Sequence, residues 1–144
     1  MPSYDAFSES DLGAAILLSK VKLETSRDAV AARQAVARFM KDHKASALSV
    51  TRFATAVSEI ARNAIVHGGG GEMSIYLNSR TKLLSIVCWD RGPGIADVKL
   101  AMTEGYTSGG GLGRGLGGAK RLSSNFEIRT AAGEGTSVLM SVKL

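Results

Sequence analysis

Four groups of residues in this chain could do chemistry. Glu59 and Asn63 stand four positions apart in a stretch with helical apolar periodicity. At about 100° per residue that spacing puts both on one helix face, one turn above the other, and His67 extends the row. A carboxylate can take a proton from a nucleophile, and an amide oxygen suits a hard cation already crowded by phosphate oxygens. The row borders the apolar stripe, so a solvated helix flank also explains it. Asp90 ends an apolar run and opens Asp90-Arg91-Gly92-Pro93-Gly94. Such a segment is at home in a strand-ending turn. It also offers a carboxylate to an exocyclic amine, with Gly92 and Gly94 letting backbone approach a flat base.

The third group is Gly109-Gly110-Gly111-Leu112-Gly113-Arg114-Gly115, continuing to Gly118 and followed by helical periodicity. Small residues before a helix present backbone N–H groups to an anion. A flexible surface loop is the plainer account, because ordering glycine costs much entropy. Two familiar patterns nearly fit and fail. Gly113-x-Gly-x-x-Gly118 has the dinucleotide-binding spacing, but no strand leads into it and only 26 residues remain after it. Gly113-x4-Gly118 resembles a P-loop start, yet Ala119 intervenes before Lys120 and no Ser or Thr follows the lysine. The fourth group, Gly135-Thr136 within Gly133-Glu134-Gly135-Thr136, reads by itself as a hairpin turn.

The elements that must position these residues follow from periodicity. Residues 14–24 alternate and read as an edge strand. Thr25-Ser26 offers a helix N-cap, with Asp28 near the positive end of the dipole and a helix running to Lys41. A second helix starts near 46–49 and runs to His67, with Phe53, Val57, Ile60 and Ala64 as its core stripe. Gly68 to Gly71 end it, as left-handed glycine allows. Residues 72–78 and 83–90 form a hairpin, 96–104 a short helix, 105–118 a loop and 116–124 a third helix. Residues 126–130 and 136–142 close the chain as another hairpin. Helices and strands are partly segregated, which predicts an α+β two-layer sandwich. Residues 14–144 are expected to be one domain, behind a flexible acidic leader at 1–13.

Composition bounds the setting. The chain has 144 residues and 17 glycines, of which all but Gly13 lie at or after Gly68. The first 13 residues carry three acids and no base, which leaves +8 on the rest of a chain whose net charge is +5. The positive residues are scattered and no aromatic platform accompanies them, so direct nucleic-acid binding is not expected. The lone Cys88 sits in an apolar run and reads as a buried structural thiol. The apolar stretch at 14–18 is far too short to span a bilayer, and the acidic opening lacks a basic signal-peptide region. A cytoplasmic protein is the expectation.

Taken together, Glu59-Ile60-Ala61-Arg62-Asn63, Asp90 to Gly94, Gly111 to Gly115 and Gly135-Thr136 resemble, in order and spacing, the four boxes of the GHKL (Bergerat-fold) ATP-binding superfamily. The likeness covers residues 14–144. Within the superfamily the chain is most similar to the small serine/threonine kinases of bacterial partner-switching systems, the stressosome switch kinases of the RsbT type. Residues 28–34, 58–63, 104–116 and Lys120-Arg121-Leu122 carry that likeness. The stretch Asn63-Ala64-Ile65-Val66-His67-Gly68 looks more like the related anti-sigma factor kinases.

The resemblance implies a mixed, mostly antiparallel sheet covered on one face by about three helices. It implies ATP with adenine on Asp90, near Gly92, Gly94 and Thr136, and Mg²⁺ on Asn63. Gly109, Gly110, Gly111, Leu112, Gly113, Arg114 and Gly115 would wrap the phosphates. Glu59 would orient or deprotonate a Ser/Thr hydroxyl of a STAS-domain antagonist. A downstream phosphatase, or a sigma factor in the anti-sigma reading, would be the other partner.

Overall fold

Alternating apolar residues build one sheet. In the computed structural model, which describes residues 2–103 and 115–144, five strands are present: β1 (Ile16–Leu23), β2 (Gly71–Asn78), β3 (Leu83–Asp90), β4 (Asn125–Ala131) and β5 (Gly135–Lys143). Their order is β1-β2-β3-β5-β4, with β1 at an edge as expected. All four ladders are antiparallel, so among the described residues the sheet is not mixed. The reason is local: the β4–β5 hairpin joins the sheet through its second strand, which runs opposite to β3.

Two long helices cover one face. Helix α1 (Ser26–Asp42) starts at Thr25, where the Asp28 carboxylate accepts the N–H groups of Glu24 (2.8 Å) and Thr25 (2.9 Å). Helix α2 (Ala47–Val66) starts at Ser46, whose hydroxyl accepts the Ser49 N–H. Its stripe of Phe53, Val57, Ile60 and Ala64 is buried against Leu23, Met73, Ile75, Ile86 and Met140 of the sheet. Two shorter helices follow, α3 (Val98–Ala101) and α4 (Gly115–Arg121).

Both short helices depart from the sequence reading. Helix α3 is confined to four residues because Asp97 caps it late, accepting the Leu100 N–H. Helix α4 begins one residue before the expected start at 116 and ends at Arg121 rather than at 124. Leu116 and Ala119 are buried in the main core, and that packing outweighs the roughly 1 kcal/mol that each glycine costs a helix relative to alanine.

The other face of the sheet carries a second apolar cluster, Tyr76, Val87 and Leu139. Residues 3–12, expected to be a loose leader, are seated on it. Phe7 is 6% exposed and packs there, with Leu12 beside it. Burying a Phe side chain stabilises by about 1.5–3 kcal/mol, which is the physical reason for the correction. Arg129 on β4 lies 4.1 Å from the centre of the Phe7 ring and pairs with Asp11 at 3.0 Å.

Candidate functional site

The end of β3 and the end of α2 meet at a cleft. Its cavity of about 520 Å³ is bounded by the last two turns of α2, residues 93–101, the start of α4 and the start of β5. That size suits a small organic ligand. Ile60, Val66, Ile95, Leu100 and Val138 make much of the wall apolar, and Asp90 brings a carboxylate into it.

Asp90 is held with its oxygens in different states. It is 9% exposed. Its Oδ1 accepts the N–H groups of Gly92 (2.9 Å) and Thr136 (3.1 Å). Its Oδ2 has no hydrogen bond among the described residues and is free to accept one from a ligand donor. Burial pushes the carboxyl above the usual carboxylate range, and the two backbone hydrogen bonds pull the other way.

Of the seven expected site residues within the described part of the chain, six line this cavity. Glu59 and Asn63 are half-buried on α2 and both line it, as does the exposed His67. Gly94, Gly115 and Thr136 line it as well. Gly92 is not among the lining residues; its role in the geometry is the hydrogen bond to Asp90. Gly109, Gly110, Gly111, Leu112, Gly113 and Arg114 lie outside the described residues. Among the described residues no group of three His, Cys, Asp or Glu side chains could hold a metal by itself. Cys88 is buried in the core and burial pushes its thiol up, in line with a structural thiol.

The glycines around the cleft also serve the fold. Gly92 and Gly94 were expected to admit a flat base. In the structure the crowding comes from the protein's own backbone. A Cβ on Gly92 would run into the backbone of Gly68, and Gly94, at φ 77°, faces the Ala131 carbonyl. Gly68 reads in the sequence as part of a helix stop. The chain reversal falls to Gly69 (φ 70°) and Gly70 (φ 105°), whereas a Cβ on Gly68 would overlap the Asp90 carboxyl. Gly68 is thus a site residue that sequence reasoning missed, and its signal was hidden inside a four-glycine run. Thr130 was missed too. Its hydroxyl accepts the Ile95 N–H at 2.9 Å and lies 3.1 Å from the Thr136 hydroxyl, tying the 93–97 wall to β5. No motif marks it.

Comparison with known proteins agrees with this architecture. The profile of the histidine kinase-like ATPase domain matches residues 23–142. The serine/threonine-protein kinase RsbT of Bacillus subtilis (strain 168) is 39% identical over 122 residues, covering 83% of this chain and 92% of that protein. The anti-sigma F factor of Clostridium novyi (strain NT) is 37% identical over 136 residues, covering 88% of this chain and 95% of that protein. In fold, the chain is similar to the crystal structure of the RsbU and RsbW domains of Rv1364c from Mycobacterium tuberculosis. The TM-score is 0.63 at 20% identity, and the match covers 88% of this chain and 32% of that one. With an α+β sandwich, a cleft at the α2–β3 ends and a profile match over residues 23–142, the chain belongs to the histidine kinase-like ATPase domain family, of the GHKL type.

Proposed function

We propose that this chain is a Mg²⁺- and ATP-dependent protein serine/threonine kinase of a partner-switching signalling module, working in the cytoplasm on a STAS-domain antagonist. A downstream phosphatase that the released kinase binds and activates completes the proposal. The observation that carries it is the shared cavity: a buried carboxylate, one oxygen of which has no hydrogen bond among the described residues, stands in the same cleft as the Glu59–Asn63 row. That no described helix is long and apolar enough to cross a membrane is compatible with it.

Each residue then has a role. Asp90 Oδ2 accepts the adenine amine, while Gly92 and Thr136 hold Oδ1. Val66 and Leu100 cover the base. Asn63 offers one neutral oxygen to Mg²⁺, which neutralises phosphate charge when bound. Gly109 to Arg114 and Gly115 supply N–H groups and one guanidinium to the phosphates. Glu59 takes the proton of the partner's hydroxyl as its oxygen bonds to the γ-phosphorus and ADP leaves. Positioning and charge neutralisation dominate such a transfer.

The test is incubation with γ-labelled ATP, Mg²⁺ and candidate STAS proteins. Glu59→Ala should keep ATP binding and lose transfer by about 10²–10⁴-fold. Transfer at the wild-type rate would remove the base assignment. A second reading, an anti-sigma factor that sequesters a sigma factor and phosphorylates its antagonist, is favoured by the 37% likeness to an anti-sigma F factor. Its distinguishing result is stable capture of a sigma factor in the presence of ATP.

A further inference from the structure

The Asp90 peptide is gripped from the side of the sheet opposite the helices. The last β3–β5 pair is Trp89 with Ser137, so the Asp90 carbonyl lies just beyond the ladder. It faces Gly135, where a Cβ would collide with it. Its partner is Tyr4, whose Oη donates to the Asp90 carbonyl at 2.8 Å. The Tyr4 ring fills the space beside Gly135, with Cε1 2.7 Å from where a Cβ on Gly135 would sit. The leader that carries Tyr4 is itself anchored. The Phe7 N–H donates to Ser137 Oγ at 3.0 Å, and Arg129 holds both the Phe7 ring and the Asp11 carboxylate. Residues 3–12 lie outside the 23–142 span of the family profile.

We propose that Tyr4 is a positioning residue for nucleotide recognition, fixing the Asp90 main chain from behind so that its carboxylate keeps one orientation toward the adenine amine. The inference rests on the reading that Asp90 receives that amine. Two constraints are needed to aim a side chain at the end of a strand. Gly92 and Thr136 fix the carboxylate through Oδ1, and Tyr4 fixes the peptide from which it springs. Burial and the nearby Asp90 charge raise the Tyr4 hydroxyl above its ordinary pKa, and a tyrosine hydroxyl is a donor at neutral pH in either case. Preorganisation of this kind enters affinity by lowering the ordering cost of binding.

The test is calorimetric binding of two nucleotides to the full-length chain and its Tyr4→Phe variant. One nucleotide is ATP; the other is purine riboside triphosphate, which lacks the exocyclic amine. Phe keeps the ring against Gly135 and removes only the hydroxyl. The expected result is an ATP affinity lower by about three- to tenfold, the range for loss of one neutral hydrogen bond, with purine riboside triphosphate affinity unchanged. An unchanged ATP affinity, or an equal loss for both nucleotides, overturns the proposal. Asp90→Asn, measured in parallel, separates the two levels. If Asp90→Asn binds ATP as wild type does, the adenine assignment itself has failed, whatever Tyr4→Phe does.

Discussion

At the scale of single residues, Asp90 carries a cost in stability that its proposed contact with adenine would account for. An acid whose pKa is raised by folding holds its proton more tightly in the folded chain than in the unfolded one. Its ionised form therefore subtracts stability at neutral pH, and that loss is relieved as pH falls through the raised pKa toward the usual carboxylate value. Asp28 has the opposite sign. Hydrogen bonds from Thr25 and Glu24 lower its pKa, so its contribution is present at neutral pH and is lost on acidification. Asp90→Asn should consequently fold at least as stably as wild type without ligand. An Asn Oδ1 still accepts the Gly92 and Thr136 N–H groups, and no charge is buried. ATP affinity should fall about a hundredfold or more, since a charged acceptor is replaced by an amide donor facing the amine. Urea midpoints and calorimetry on the same preparation check both halves. A destabilised variant would mean that the charge itself is needed by the fold.

At the scale of elements, the sequence was readable wherever local pattern and packing agree. Helix α2 is the clearest instance: Ser46 begins it, its stripe is buried, and its last turns carry Glu59 and Asn63 to the cleft. The strands were readable to within two residues for the same reason, since alternation and burial coincide. Helix α4 was readable at its start, while its end at Arg121 falls three residues short of the expected 124. The leader was not readable. Its polar composition conceals Tyr4 and Phe7, and only the assembled sheet offers Tyr76, Val87 and Leu139 as the seat of Phe7 and the Asp90 carbonyl as the partner of Tyr4. The β2–β3 turn holds a correctable strain. Asn78 Oδ1 accepts the N–H groups of Arg80 and Thr81, and the turn then forces Lys82 to φ 60°. A non-glycine residue in that conformation costs roughly 1–2 kcal/mol, partly offset by the greater unfolded-state entropy of glycine. Lys82→Gly should therefore raise stability by about 0.5–1 kcal/mol. The turn is at the far end of the hairpin from Asp90, so ATP affinity should not change. Denaturant melts with and without nucleotide test this, and a loss of stability would refute the strain.

At the scale of the whole molecule, glycine-poor and glycine-rich halves have distinct duties that meet at one cleft. The first half supplies α2 with Glu59 and Asn63. The second supplies Asp90, the 93–97 wall and Thr136, and its glycines at 68, 92 and 135 admit close approach of backbone around Asp90. What the sequence could not reveal is that the same crowding closes the site against the protein itself, because it depends on which backbones touch. A site assembled from such distant segments has no counterpart in the unfolded chain, so ligand should stabilise the whole fold. At a hundred times its dissociation constant, a ligand that binds only the folded state adds about 2.7 kcal/mol. For a domain of this size that corresponds to a rise in Tm of roughly 8–10 °C. Mg²⁺-ATP should give this shift in wild type and in Glu59→Ala, whose loss is confined to transfer, and should give almost none in Asp90→Asn. Scanning calorimetry of the three chains with and without nucleotide would show it. A shift missing from Glu59→Ala as well would make Glu59 part of the binding surface rather than the base. No shift in wild type would mean that the cavity holds something other than ATP.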